Sequence, residues 1–76
     1  MPSPPTLSGR ETVKVFLTFG WEVARQRGSH IIMTKTGHIA TLSITDHEEV
    51  AKGTLRSLIR SADLTVEEFA ERSRGK

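Results

Sequence analysis

Residues 21–44 read WEVARQRGSHIIMTKTGHIATLSI, and the alternation within this stretch decides the fold. Over residues 21–26, Trp21 and Val23 fall on one side of a period-2 pattern, and Glu22, Ala24 and Gln26 fall on the other. That is the signature of a short strand. Arg27-Gly28 supplies a turn, and residues 29–35, rich in β-branched side chains, form a second strand. Thr36-Gly37 is a second tight turn, and residues 38–44 continue as a third strand, with Ala40, Leu42 and Ile44 alternating against Ile39, Thr41 and Ser43. Three strands joined by short turns form an antiparallel meander. The alternation places Trp21, Val23, Ile31, Met33, Leu42 and Ile44 on the face toward a core, and His30, Ile32 and Thr34 on the opposite face.

The flanks read as helices. Ser8 and Glu11 have capping-box spacing, Val13, Phe16 and Leu17 recur at helical intervals, and Gly20 is a natural stop, so a helix is predicted over residues 9–19. A polar connection over residues 45–53 leads to a second helix beginning within residues 52–54, with Thr54 as its cap. Leu55, Leu58, Ile59 and Ala62 form its apolar stripe, while Arg56 and Arg60 share another face. Thr65 and Glu68 repeat the capping-box spacing and open a last helix to about Ser73, anchored by Phe69. The prolines all fall before residue 6, so residues 1–7 are expected to be a disordered leader, residues 8–73 one domain, and residues 74–76 a frayed tail. Helix, three strands, helix and short helix make a two-layer α+β domain, with the helices on one face of the sheet.

Composition narrows what such a domain can do. A chain of 76 residues is a single domain. At this size only ~60% of the unfolded surface is buried, so any site should be an open groove on the surface. Eleven Lys+Arg against nine Asp+Glu leave a net charge of +2, a mild basic bias that permits nucleic acid. Cysteine is absent, which excludes disulfides, thiolate metal sites and a thiol nucleophile, and fits a reducing compartment. No apolar run approaches the ~20 residues of a membrane span, and the N-terminus lacks a signal pattern. A cytoplasmic protein is expected.

The chemistry concentrates in Arg25-Gln26-Arg27-Gly28-Ser29-His30. Two arginines can grip phosphate oxygens in a fixed fork, and a histidine can take or give a proton near neutral pH. His30 is the candidate catalytic residue. Arg25 and Arg27 are candidates for positioning a phosphate and stabilising its transition-state charge, and Ser29 for a hydrogen bond to it. The plain reading of the same residues is a solvated basic hairpin, with Gly28 supplying a positive φ. Lys52 and Gly53 open the second helix, where free N–H groups favour phosphate, and Arg56 extends that basic element. The plain alternative there is a structural glycine beside a solvated lysine. His38 and His47 are candidates for a second proton carrier, with His38 read as a solvated turn residue. The separations of His30, His38 and His47 lack paired ligand spacing, so no metal and no cofactor are expected.

Three stretches then carry a family resemblance: Gly20-Trp21 with the strand after it, Arg25-Gln26-Arg27-Gly28-Ser29-His30, and Lys52-Gly53-Thr54-Leu55-Arg56-Ser57-Leu58. In this order and spacing the chain resembles the HicA family of bacterial toxins over roughly residues 8–70. The family often has a proline near the end of the third strand, before a histidine; here that stretch is Ser43-Ile44-Thr45-Asp46-His47. The resemblance implies a fold like the double-stranded-RNA-binding domain and an endoribonuclease that cleaves mRNA, with His30 as its catalytic residue. It also implies a HicB-like antitoxin as partner and a toxin that is monomeric when free. Two other readings compete: a non-catalytic RNA-binding module of the same fold, and a protein-interaction domain using exposed Ile32 and Ile39. An acidic antitoxin would engage Arg25, Arg27, Arg56 and Arg60, and so exclude RNA.

Overall fold

Ser8 and Glu11 cap the first helix reciprocally. The Ser8 N–H donates to Glu11 Oε1 at 2.9 Å and the Glu11 N–H donates to Ser8 Oγ at 3.1 Å. The helix they start is α1 (Gly9–Thr18) in a computed structural model that describes residues 4–75. It is followed by β1 (Glu22–Arg27), β2 (His30–Thr34), β3 (Leu42–Thr45), α2 (Lys52–Ser61) and α3 (Val66–Gly75). At the end of α1 the N–H groups of Gly20 and Trp21 reach back to the carbonyls of Leu17 and Phe16 at 3.1 and 3.2 Å. This pair of bonds closes the helix and drops the Trp21 ring edge-on to Phe16, 6.4 Å between centroids. Thr65 and Glu68 repeat the reciprocal cap at α3, at 2.8 and 3.0 Å.

The three strands form one antiparallel sheet in the order β1-β2-β3. Ile31, Met33, Leu42 and Ile44 project from it into a core completed by Val13, Val15, Phe16, Trp21, Val50, Leu55, Leu58, Ile59, Ala62 and Phe69. The helices cover this face alone, so the architecture is the two-layer α+β arrangement expected. No helix among the described residues is long and apolar enough to cross a membrane.

Several details differ from the sequence expectation. Val23 pairs with Met33, and therefore faces the helix side, but it sits on an edge strand at the rim of the helix layer and stays 47% exposed. Leu17 is exposed, and Val15 takes the buried place on α1. β3 starts at Leu42 rather than at residue 38, because His38 is held outside the ladder by its side chain. Its Nδ1 accepts the Ala40 N–H at 3.1 Å, its Nε2 lies 2.8 Å from Asp63 Oδ2, and its ring lies 5.0 Å from that of Trp21. A residue that satisfies the backbone locally competes with strand pairing. Thr54 does not cap α2; the cap position is Ala51, with no side-chain hydrogen bond, and Thr54 sits inside the first turn. The expected leader divides. Residues 1–3 lie outside the described residues, whereas Pro4 is fully buried and the Leu7 carbonyl accepts the Val50 N–H at 2.8 Å. α3 continues past Ser73 to Gly75, and Arg74 lies 3.9 Å from Glu71 within it; Lys76 lies outside the described residues.

Candidate active site

The β1–β2 hairpin turns over Gly28-Ser29, one residue later than the sequence reading, with Arg27 paired to His30. Gly28 has φ +59° and the turn is a two-residue one, a geometry that takes glycine first because a Cβ there is strained. His30 therefore begins β2 beside the turn, and its side chain is exposed.

A strict period of 2 would put Arg25 and Arg27 on the same side as Val23, toward the helices. The pairing shows otherwise. Val23 opposes Met33, Arg25 opposes Ile32, Gln26 opposes Ile31 and Arg27 opposes His30, with the register shifting between Val23 and Arg25. Ala24 is the extra residue of a β-bulge, which inverts the facing of everything after it. Residues directly opposite in an antiparallel pair project to the same side. Arg25 and Arg27 thus join Ile32 and His30 on the face that no helix covers. On the other edge, His30 opposes Thr45 and Ile32 opposes Ser43. From the hairpin inward the open face consequently carries the row Arg27, His30, Thr45, then the row Arg25, Ile32, Ser43, and then the pair Glu22 and Thr34. Among the described residues neither arginine is in an ion pair, in contrast to Arg10 and Arg74.

The end of the sheet that carries His30 is tied down from behind. The Asp46 N–H donates to the Ser29 carbonyl at 2.6 Å, joining the exit of β3 to the turn before His30. The Asp46 carboxylate lies 3.5 Å from Arg10 Nε. The Gly9 N–H donates to the His47 carbonyl at 2.8 Å, and a Cβ on Gly9 would lie 2.1 Å from the Thr45 carbonyl oxygen, so the start of α1 abuts the end of β3 at van der Waals closeness. Thr45 thus supplies a side chain opposite His30, and Asp46 the N–H that ties the exit of β3 to the turn.

The predicted site residues separate into two groups. Arg25, Arg27, Ser29 and His30 come together on the hairpin. Lys52, Gly53 and Arg56 belong to α2, which packs on β3 and α3 and, among the described residues, does not approach β1 or β2. The first turn of α2 has no side-chain cap and no acidic residue, and Lys52 and Arg56 are exposed on it. A Cβ on Gly53 would meet nothing within 4 Å. The loop before α2 is bonded to Leu7 and Gly9, which brings the starts of both helices to the end of the sheet where Thr45 faces His30.

His38 is not a solvated turn residue. With Nδ1 accepting from Ala40, its proton resides on Nε2 and is directed at Asp63. Both ring nitrogens are thus engaged in hydrogen bonds that tie the turn to the end of α2. Asp63 is in the left-handed region at φ 62°, closing the C-terminal turn of α2 in the place usually taken by glycine. His47 is exposed and lies just past the end of β3. Sequence reasoning passed over Thr45 and Ser43, whose sole signal was their polar places in the alternation of the third strand. Two surface grooves among the described residues lie beside α1 and α3, where Arg72 stacks over Phe19 at 4.2 Å and donates to the Thr18 carbonyl.

Helix, three-stranded antiparallel sheet and two further helices, with a basic open face, define a small α+β domain of the double-stranded-RNA-binding type. The family model described as the HicA toxin of bacterial toxin–antitoxin systems matches residues 9–64, and the chain belongs to that family. Its fold is similar to a solved chain from a toxin–antitoxin complex of Streptococcus pneumoniae, with 36% identity, TM-score 0.67, and coverage of 76% of this chain and 98% of that one. No curated protein shows a significant match to the chain.

Proposed function

We propose that this toxin is a metal-independent endoribonuclease that cleaves mRNA with His30 as the proton-transfer residue, and that a HicB-like antitoxin neutralises it. The observation that carries the reading is the row Arg27, His30, Thr45 on the open face, an exposed histidine paired across the strands with an exposed arginine. In this reaction His30 removes the proton of a ribose 2′-hydroxyl, and that oxygen attacks the adjacent phosphorus. Arg25 and Arg27 hold the non-bridging oxygens and stabilise the charge of the pentavalent phosphate. The bond to the 5′-oxygen breaks and that oxygen takes up a proton, leaving a 2′,3′-cyclic phosphate and a 5′-hydroxyl. His38 has both ring nitrogens in hydrogen bonds, which favours His47 as the histidine to test for the acid role. Ser29 steadies the turn before His30. Lys52, Gly53 and Arg56 serve a more distant stretch of RNA backbone, at an uncapped helix start suited to phosphate. The toxin acts in the cytoplasm as a monomer until an acidic antitoxin covers the hairpin arginines, so antitoxin and RNA compete.

The test is purified protein against His30→Ala on RNA, with end-group analysis of the products. Removal of the general base should lower the rate by about 10²–10⁴-fold. Cleavage with 5′-hydroxyl ends should persist in chelator. Undiminished cleavage by His30→Ala would overturn the role of His30; RNA bound but left intact by the parent protein would make the domain a binding module.

A further inference from the structure

We propose that the RNA is bound single-stranded across the open face of the sheet, and that Ser43 and Thr45 on β3 are contact residues for it. This rests on the ribonuclease reading above and deepens it. The two rows nearest the hairpin share their margins, a guanidinium on β1 and a hydroxyl on β3, on either side of a β2 residue. They are Arg27, His30, Thr45 and Arg25, Ile32, Ser43. The repeat makes a track along β2 with two arginines, in no ion pair among the described residues, on one margin and hydroxyls on the other; beyond Arg25 the track ends at the Glu22–Thr34 pair. Ser43 is exposed and Thr45 half-buried, and neither hydroxyl is in the side-chain hydrogen bonds formed among the described residues. Ile32, half-buried between Arg25 and Ser43, presents an apolar seat one row away from His30.

This division suits one strand of RNA. Phosphates lie along the arginine margin, a ribose or base rests on Ile32, and the polar edges of the nucleotides on either side of the scissile bond meet the two hydroxyls. Strands ~4.8 Å apart give the three-stranded sheet a face about 10 Å across. A flat face of that width reaches the exposed edges of an unstacked strand, whereas in a duplex those edges are paired and recessed. The arginines carry a sequence-independent attraction, and the Ser43 and Thr45 hydroxyls are placed to meet nucleotide edges and so to distinguish one nucleotide from another.

The experiment measures binding of a mixed-sequence oligoribonucleotide, single-stranded and as a duplex, by the full chain carrying His30→Ala to prevent cleavage. Ser43→Ala and Thr45→Val are added to that background and also to the otherwise unaltered protein. The single strand should bind more tightly than the duplex. Each hydroxyl removal should weaken single-strand binding about three- to tenfold with no change in its salt dependence, since no charge is lost. In the cleaving protein the same substitutions should raise KM and shift the preferred cleavage positions, with unchanged melting temperature. Affinity and cleavage positions equal to the parent's in both variants, or tighter binding of the duplex, would overturn the proposal while leaving the ribonuclease reading intact. Loss of antitoxin binding with RNA affinity retained would assign this margin to the protein partner instead, and also overturn it. Absence of RNA binding by the parent protein would remove the ribonuclease reading itself, and this inference with it.

Discussion

Gly9→Ala and Gly53→Ala make the same chemical change in the first turns of two helices, yet the structure requires opposite outcomes. A methyl group on Gly9 would stand 2.1 Å from the Thr45 carbonyl oxygen, 2.9 Å from the Asp46 Cα and 3.0 Å from the Thr45 carbonyl carbon, all of them backbone. Ordinary carbon contacts begin near ~3.5 Å, so the end of β3 and the start of α1 must part by about 1 Å. Overpacking of this kind costs about 1–3 kcal/mol. Parting also weakens the 2.8 Å bond from the Gly9 N–H to the His47 carbonyl, about 1 kcal/mol more. The better helix propensity of alanine returns at most ~1 kcal/mol. The net loss is about 1–3 kcal/mol, which for a domain of this length lowers the melting temperature by about 5–20 °C. At Gly53 a methyl group meets nothing within 4 Å, so only the propensity gain remains, up to ~1 kcal/mol in the stabilising direction. Urea titration followed by circular dichroism measures both. A loss under about 1 kcal/mol for Gly9→Ala, or a loss at Gly53→Ala as large as that at Gly9, would refute the close approach of α1 to β3. Because Thr45 faces His30, Gly9→Ala should also reduce RNA cleavage at temperatures where the variant is still folded.

Other substitutions probe the remaining joints. His38→Gln should keep RNA cleavage, since neither ring nitrogen is free, while altering Trp21 fluorescence because the two rings lie 5.0 Å apart; loss of cleavage in a folded variant would return His38 to the reaction. Asp63→Ala should destabilise by about 1–2 kcal/mol, through left-handed backbone strain and the lost bond to His38, whereas Asp63→Gly should cost less because glycine relieves the strain; urea midpoints rank the two. Arg25→Gln and Arg27→Gln should each reduce the slope of log affinity for RNA against log salt by about 1. Neither should lower the melting temperature, as both side chains are exposed and without ion pairs among the described residues.

What was legible in the sequence follows from local rules. Ser8 with Glu11 and Thr65 with Glu68 mark helix starts because the reciprocal cap depends only on residues three apart, and both caps form. The apolar positions of β2 and β3 mark the core because a strand alternates with period 2. The hairpin glycine and the exposed histidine after it are likewise local, and the order of elements leaves little freedom beyond a meander with helices on one side.

The tertiary structure decided which way the arginines point. A bulge adds one residue to one strand and leaves no mark in a period-2 pattern, yet it inverts the facing of Arg25 and Arg27 and brings them to the side of His30. It also decided what His38 does, since Asp63 lies twenty-five positions away in the chain and only packing brings the two within 2.8 Å. Local composition determined the elements and the presence of His30, Arg25 and Arg27 on one hairpin. Pairing between strands determined that the three share a face, and that Thr45 and Ser43 share it with them, because register is a property of two segments and cannot be read from either one.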